Sequence, residues 1–190
     1  GFLERHEAYF PEDFSRLSFI DNHDMNRFLW AAGGDKRRLR LAALCQFTLS
    51  GPPVVYYGTE VGLSQERDVR HDDFGKPEEA RLPMPWEPEA QDVELAAFYR
   101  CLSAQRQHHA CLIRGEFTVV QAGRDTLVYA RALPEERCIV ALNLSAESQS
   151  LQLAVDCNHL LLATDSACKM ELLPNQVCLD LPPFSGVLIR

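Results

Sequence analysis

Four consecutive residues, Asp21, Asn22, His23 and Asp24, put two carboxylates, an amide and an imidazole at one point of the chain. They end a short apolar run of strand type, Leu17-Ser-Phe-Ile20. An amphipathic helix has no room here, because Gly33 and Gly34 follow soon after. A buried strand that stops at such a cluster is how an α/β barrel presents chemistry, since side chains leave the core at the C-terminal strand ends and meet the cleft. Taken alone, the four residues better suit a loop with an Asx-turn and a solvated histidine. Strand alternation turns Asp21 away from the side of Ile20, which leaves its direction open.

A second stretch, Gly51-Pro-Pro-Val-Val-Tyr-Tyr-Gly-Thr-Glu60, repeats the pattern: a short β-rich run ends at Gly58 and an acid. Between the two, Asp35 to about Leu49 reads as a helix with Asp35 as N-cap. Leu39, Ala42, Ala43, Leu44 and Phe47 form its buried stripe. Lys36, Arg37, Arg38 and Arg40 crowd its first turns, where the helix dipole disfavours cations, and are expected to form a solvated face. Strand, helix, strand in that order is one barrel or doubly wound repeat.

These stretches carry a family resemblance. Phe19-Ile-Asp-Asn-His-Asp24 resembles the Phe-x-x-Asn-His-Asp motif of the α-amylase family of glycoside hydrolases, family 13. Gly51 to Glu60 resembles the same family's Gly-x-Pro-x-x-Tyr-Tyr-Gly-x-Glu motif. Arg81-Leu-Pro-Met-Pro-Trp86 is similar to the Arg-x-Pro-Met-x-Trp segment of its maltodextrin-, pullulan- and isomaltose-cleaving branches. The three arrive in the family's order, and the resemblance covers roughly residues 1–110.

The chain has 190 residues, 46% hydrophobic and 24% charged, enough for one or two ordinary globular domains. Its net charge of −8 and lack of a basic run argue against a nucleic-acid partner. No apolar stretch reaches the ~20 residues of a membrane span. No leader is visible at Gly1, which reads as the interior of a longer chain, and a cytoplasmic location is the expectation. The seven cysteines, Cys45, Cys101, Cys111, Cys138, Cys157, Cys168 and Cys178, include no Cys-x-x-Cys. Most are expected to be small buried hydrophobes in a reducing compartment.

Residues 61–91 read as a long loop of the kind that is usually functional or poorly ordered. The family's loop after the eighth barrel strand borders the substrate cleft. Asp92 caps a helix to about His108, with Leu95, Phe98, Tyr99 and Leu102 as its core stripe. His108 and His109 suit a contact with that helix's C-terminal dipole better than metal ligation. After Gly115 the period becomes alternating. Strand candidates begin at Phe117, Leu127, Cys138, Leu151, Leu160, Val177 and Gly186, parted by turn signals such as Pro134-Glu-Glu and Pro174-Asn. Seven or so short strands suggest an antiparallel sandwich, and the family carries such a domain, called C, directly after its barrel. The expected fold is therefore α/β plus all-β: residues 1–113 as the last two strand–helix units of a (β/α)8 barrel, and 114–190 as a β-sandwich.

The resemblance implies chemistry. Retaining glycosidases use a nucleophile and a general acid/base around an oxocarbenium-like transition state. The resemblance adds a third carboxylate that binds hydroxyls of the sugar being cleaved, and Asp24 matches it. His23 would bind the same sugar. Asn22, Arg27 and Arg81 are further substrate-binding candidates; Asn22 also suits orienting the loop, Arg27 suits pairing with a cleft carboxylate, and for each of these two a structural role fits at least as well. Tyr57 and Glu60 read as structural. Trp86 suits sugar stacking, though a core tryptophan is the commoner case.

The motifs bearing the nucleophilic Asp and the acid/base Glu are not in this sequence, and a whole barrel needs on the order of 250 residues. The expectation is a C-terminal fragment of an enzyme acting on α-glucans or maltodextrins, inactive by itself. It would use no cofactor or metal here, calcium belonging to the parent, and would self-associate through its open barrel face. Linkage specificity stays open. Rival readings are a carbohydrate-binding module on the sandwich, a silent membrane-tethered relative, and a metal-dependent hydrolase using Asp21, His23, Asp24, His71 and Asp72.

Overall fold

A computed structural model describes residues 5, 9–11, 14, 16–70 and 77–190. The two expected strands are reduced to one parallel bridge between Ser18 and Pro53. Ser18 N donates to Pro52 O at 3.1 Å, and Val54 N to Ser18 O at 2.7 Å. Pro52 and Pro53 lack N–H groups, so the ladder cannot lengthen there. Gln46 compensates, its Nε2 reaching Ser18 O and Val54 O, each at 2.9 Å. Gly51 has φ +82°, and a Cβ at this position would stand 1.8 Å from Arg16 O, so the turn accepts only glycine.

Helix α1 is one short turn, Phe28–Ala31, and α2 spans Lys36–Thr48. Asp35 caps α2 by accepting from Arg37 N at 2.9 Å. The cations of its first turns are paired rather than merely solvated: Lys36 with Asp92 at 2.7 Å, Arg37 with Asp35 at 2.8 Å and Arg40 with Glu94 at 3.5 Å. Those carboxylates offset the unfavourable dipole. Helix α3, Val93–His108, is capped by Asp92, which accepts from Leu95 N at 2.9 Å. After His109 the chain continues as α4, Ala110–Arg114. His108 Nδ1 lies 2.7 Å from Ala104 O at the end of α3. His109 is instead buried, 2.7 Å from Glu136 Oε1.

Eight antiparallel strands follow: β1 Glu116–Ala122, β2 Thr126–Leu133, β3 Glu136–Asn143, β4 Gln149–Leu153, β5 Leu160–Ala163, β6 Lys169–Leu173, β7 Gln176–Leu181 and β8 Gly186–Ile189. They form one sheet of order β1-β2-β3-β8-β5 and another of order β4-β7-β6. The strand not foreseen is β6. Lys-Met-Glu-Leu-Leu has no alternation, because β6 is a mostly exposed edge held only through the hairpin to β7. Asn175 turns that hairpin at φ +61°, a conformation asparagine tolerates.

Both faces of the larger sheet are covered. Val128, Ala130, Ile139, Ala141, Val187 and Ile189 pack on Leu151, Leu153, Val177, Leu179 and Leu181 of the smaller sheet. Tyr129, Cys138, Val140, Leu142 and Leu188 face the other way, onto Leu39, Leu44, Phe47, Leu95 and Leu102 of the helices. The helical part and the sandwich thus share one core across residues 113 and 114. Double burial also explains why β2 and β3 read as almost continuous apolar runs.

Two buried arginines tie the layers. Arg106 donates from Nη1 to the carbonyls of Phe47, Leu49 and Leu112 at 2.7, 3.1 and 2.9 Å, and from Nη2 to Gly51 O at 2.6 Å. Arg131 donates to Thr48 O at 2.9 Å and Gly115 O at 2.7 Å. Together they satisfy carbonyls that the end of α2 leaves open. Among the described residues no helix is long and apolar enough to cross a membrane. All seven cysteines are free thiols; Cys111, Cys138, Cys157 and Cys168 are buried, Cys45 and Cys178 half-buried, and Cys101 exposed.

Replacing Arg106 by alanine strands four carbonyls. The expected loss is about 3 kcal/mol of unfolding free energy, read by urea denaturation, because buried acceptors of a charged donor go unpaired.

Candidate active site

Three segments meet around Arg27: the turn after Ile20, the turn after Tyr57 and the stretch from Ala80 to Leu82. Arg27 is fully buried. Its Nε donates to Ala80 O at 2.8 Å, and Nη1 donates to Tyr57 O at 2.6 Å and Thr59 Oγ1 at 3.4 Å. Its guanidinium carbon sits 4.1 Å from the Tyr56 ring centre and 4.8 Å from that of Tyr57, a cation–π contact with both. Its backbone N donates to Gln65 Oε1 at 2.6 Å. Gln65 in turn reaches Asn26 Oδ1 at 2.6 Å, which fixes the loop after the second motif.

Asp21 lies in the same buried layer. Its Oδ2 accepts from Phe28 N at 3.0 Å, holding the first turn of α1, and Thr59 Oγ1 donates to its Oδ1 at 2.9 Å. Thr59 therefore relays between Arg27 and Asp21. Burial raises the Asp21 pKa, against the lowering pull of the Phe28 and Thr59 hydrogen bonds and the Arg27 charge. Burial likewise pushes the Tyr99 phenol up, and the charges of Asp21 and Glu60 add to it.

Above this layer lies an exposed one. Asn22 Oδ1 accepts from Asp24 N at 2.8 Å, so the turn is an Asx-turn. His23 Nε2 is 3.0 Å from Asp24 Oδ2, with the two side chains 61% and 65% exposed. Arg81 closes the group, its Nη2 donating to Asp24 Oδ1 and its Nε to His23 O, each at 3.0 Å. Asn22, His23, Asp24 and Arg81 are thus brought together at the surface.

Arg27 is not with them, which corrects the expectation of a substrate contact or a cleft ion pair. Its Nε and Nη1 are spent on carbonyls and Thr59, its Nη2 is buried with no hydrogen-bond partner among the described residues, and its hydrogen-bonded route to the Asp21 carboxylate runs through the Thr59 hydroxyl. The sequence held a signal for this in the apolar Phe28-Leu-Trp that follows it. Tyr57 is structural as expected, its Oη donating to Leu82 O at 2.8 Å. Trp86 is 78% exposed, not a core residue. Thr59 and Gln65 carry no distinguishing signal in the sequence, Gln65 sitting in a loop without periodicity to flag it. His71 and Asp72 fall outside the described residues, and among the described residues no group of three His, Cys, Asp or Glu is placed to hold a metal.

Residues 2–107 match the family described as the α-amylase catalytic domain. The chain belongs to the α-amylase family. Its relatives include Alpha-amylase 2 of Dictyoglomus thermophilum, 38% identical over 80% of this chain and 26% of that protein. A cyclomaltodextrinase of Geobacillus thermopakistaniensis is 31% identical over 94% of this chain and 30% of its own length. The native debranching enzyme of Nostoc punctiforme superposes with a TM-score of 0.80 at 27% identity, over 98% of this chain and 38% of that one. This α-amylase family member therefore spans between a quarter and a third of those two curated relatives.

Because burial holds the Asp21 pKa above its unfolded value of 3.8, native protein binds the proton more tightly than unfolded protein. The burden of ionised Asp21 is absent below 3.8 and complete above the raised pKa. Asp21→Asn, which keeps an acceptor for Phe28 N, is expected to gain stability relative to the native chain as pH rises through that window. Urea unfolding across a pH series checks it.

Proposed function

We propose that this chain supplies the closing strand–helix units of a (β/α)8 barrel and the adjoining sandwich of a retaining glycosidase that acts on α-glucans such as maltodextrins. The parallel bridge between Ser18 and Pro53, with α2 between the two strands, supports neighbouring barrel staves. The reading rests chiefly on one observation. His23 and Asp24 stand side by side and open to solvent at the end of the first stave, inside the stretch matched to the catalytic domain.

In this role Asp24 accepts hydrogen bonds from hydroxyls of the sugar at the point of cleavage. Those bonds tighten as the ring flattens towards an oxocarbenium ion, and binding that strengthens in the transition state is what raises the rate. His23 is the second contact on that sugar. Asn22 holds the turn, and Arg27 braces it from below. The nucleophile and the acid/base are not supplied by these residues, so the 190-residue chain alone carries out no hydrolysis.

Leu17, Phe19 and Val54 are 64%, 52% and 43% exposed on the bridged segments. Apolar strand residues in water favour association, and a second copy of the chain would cover them. The alternative, a binding module on the sandwich, gains little: its groove of ≈ 420 Å³, lined by Val155, Cys157, Asn158, Leu172 and Asn175 among others, offers no aromatic platform.

Titrating the labelled chain with maltotriose is expected to shift the His23 and Asp24 amide signals while releasing no glucose. Asp24→Asn should weaken that binding about tenfold, the scale of a hydrogen bond to a charged group. Unmoved signals, or turnover by the chain alone, contradict the proposal.

A further inference from the structure

Three consecutive residues, Ala80, Arg81 and Leu82, are each held by a different part of the site. Ala80 O accepts from Arg27 Nε at 2.8 Å. Leu82 O accepts from Tyr57 Oη at 2.8 Å. Arg81 between them reaches outward, Nε to His23 O and Nη2 to Asp24 Oδ1. A strap anchored at both neighbours thus presents one guanidinium to the turn that carries the candidate sugar contacts.

The geometry points to Arg81 as a positioning residue that fixes the Asp24 carboxylate. The inference rests on the glycosidase reading and deepens it. Nε and Nη2 form a rigid fork, and their acceptors belong to successive residues, so the fork spans the 23–24 peptide and opposes its rotation. Asp24 Oδ2 is meanwhile 3.0 Å from His23 Nε2, so both carboxylate oxygens are held. Each oxygen keeps a second lone pair. A sugar hydroxyl can therefore donate to a carboxylate whose orientation is already set, and ordering it at the moment of binding costs less. Arg81 acts through Asp24 in this account, where a direct sugar contact was expected of it. Lysine carries the charge without the fork and cannot bridge both acceptors.

NMR on the whole 190-residue chain tests this. Arg81→Gln is expected to speed hydrogen exchange of the Asp24 amide about fivefold, in keeping with a half-exposed charged pair, and to move the side-chain carboxyl carbon signal of Asp24. Arg81→Lys is expected to restore only part of the protection, with the unfolding midpoint unchanged in both variants. Unaltered Asp24 exchange and carboxyl signal in Arg81→Gln overturn the assignment. So does exchange raised equally in the strap and the sheets, which marks a general loss of stability. Maltotriose titration of the same samples separates the two claims: silent His23 and Asp24 signals contradict the glucan reading, while the exchange data still decide the role of Arg81.

Discussion

Carbonyl oxygens left open by helix ends and turns are the recurring problem of this structure, and buried guanidiniums answer it. Arg106 and Arg131 serve Phe47, Thr48, Leu49 and Gly51 where α2 gives way to the segment that begins at Gly51. Arg27 does the same for Tyr57 and Ala80 one layer closer to the site. Burying a cation is costly unless its donors are used, and here the planar fork reaches several acceptors at once. Burial of Arg106, with the nearby charge of Arg131, depresses its pKa from the ordinary arginine value.

The arrangement separates a buried, bracing layer from an exposed polar one. Asp21, Thr59 and Arg27 form a closed layer that sets where the turn after Ile20 begins. Asn22, His23, Asp24 and Arg81 form the layer above, facing solvent. Two aspartates three positions apart thus have opposite fates. Asp21 is buried and its pKa is raised, whereas Asp24 is open to water and paired with a histidine and an arginine.

Much of this was legible in the sequence. Asp35 and Asp92 cap the helices they precede, because a side-chain acceptor before an apolar stripe is a local signal. The clustering of Asn22, His23 and Asp24 was legible because adjacency in the chain guarantees adjacency in space. The family motifs added Arg81, some sixty residues away, and the structure brings it to Asp24. What escaped was whatever depends on distant packing. Apart from the apolar residues after Arg27, nothing local announces that Arg27, Arg106 and Arg131 are inside, since an arginine's place is set by which carbonyls the rest of the chain leaves open. The edge strand β6 escaped because exposure on most positions erases alternation. The shared core across residues 113 and 114 escaped because periodicity shows that a face is buried, not against what.

Amide spectra of an Arg27→Lys chain measure the central claim most directly, that one buried fork holds the three segments of the site together. Large shifts are expected at residues 21–24, 57–59 and 80–82, with the strands β2, β3 and β8 unmoved. Spectra in which those three segments keep their native positions would contradict it.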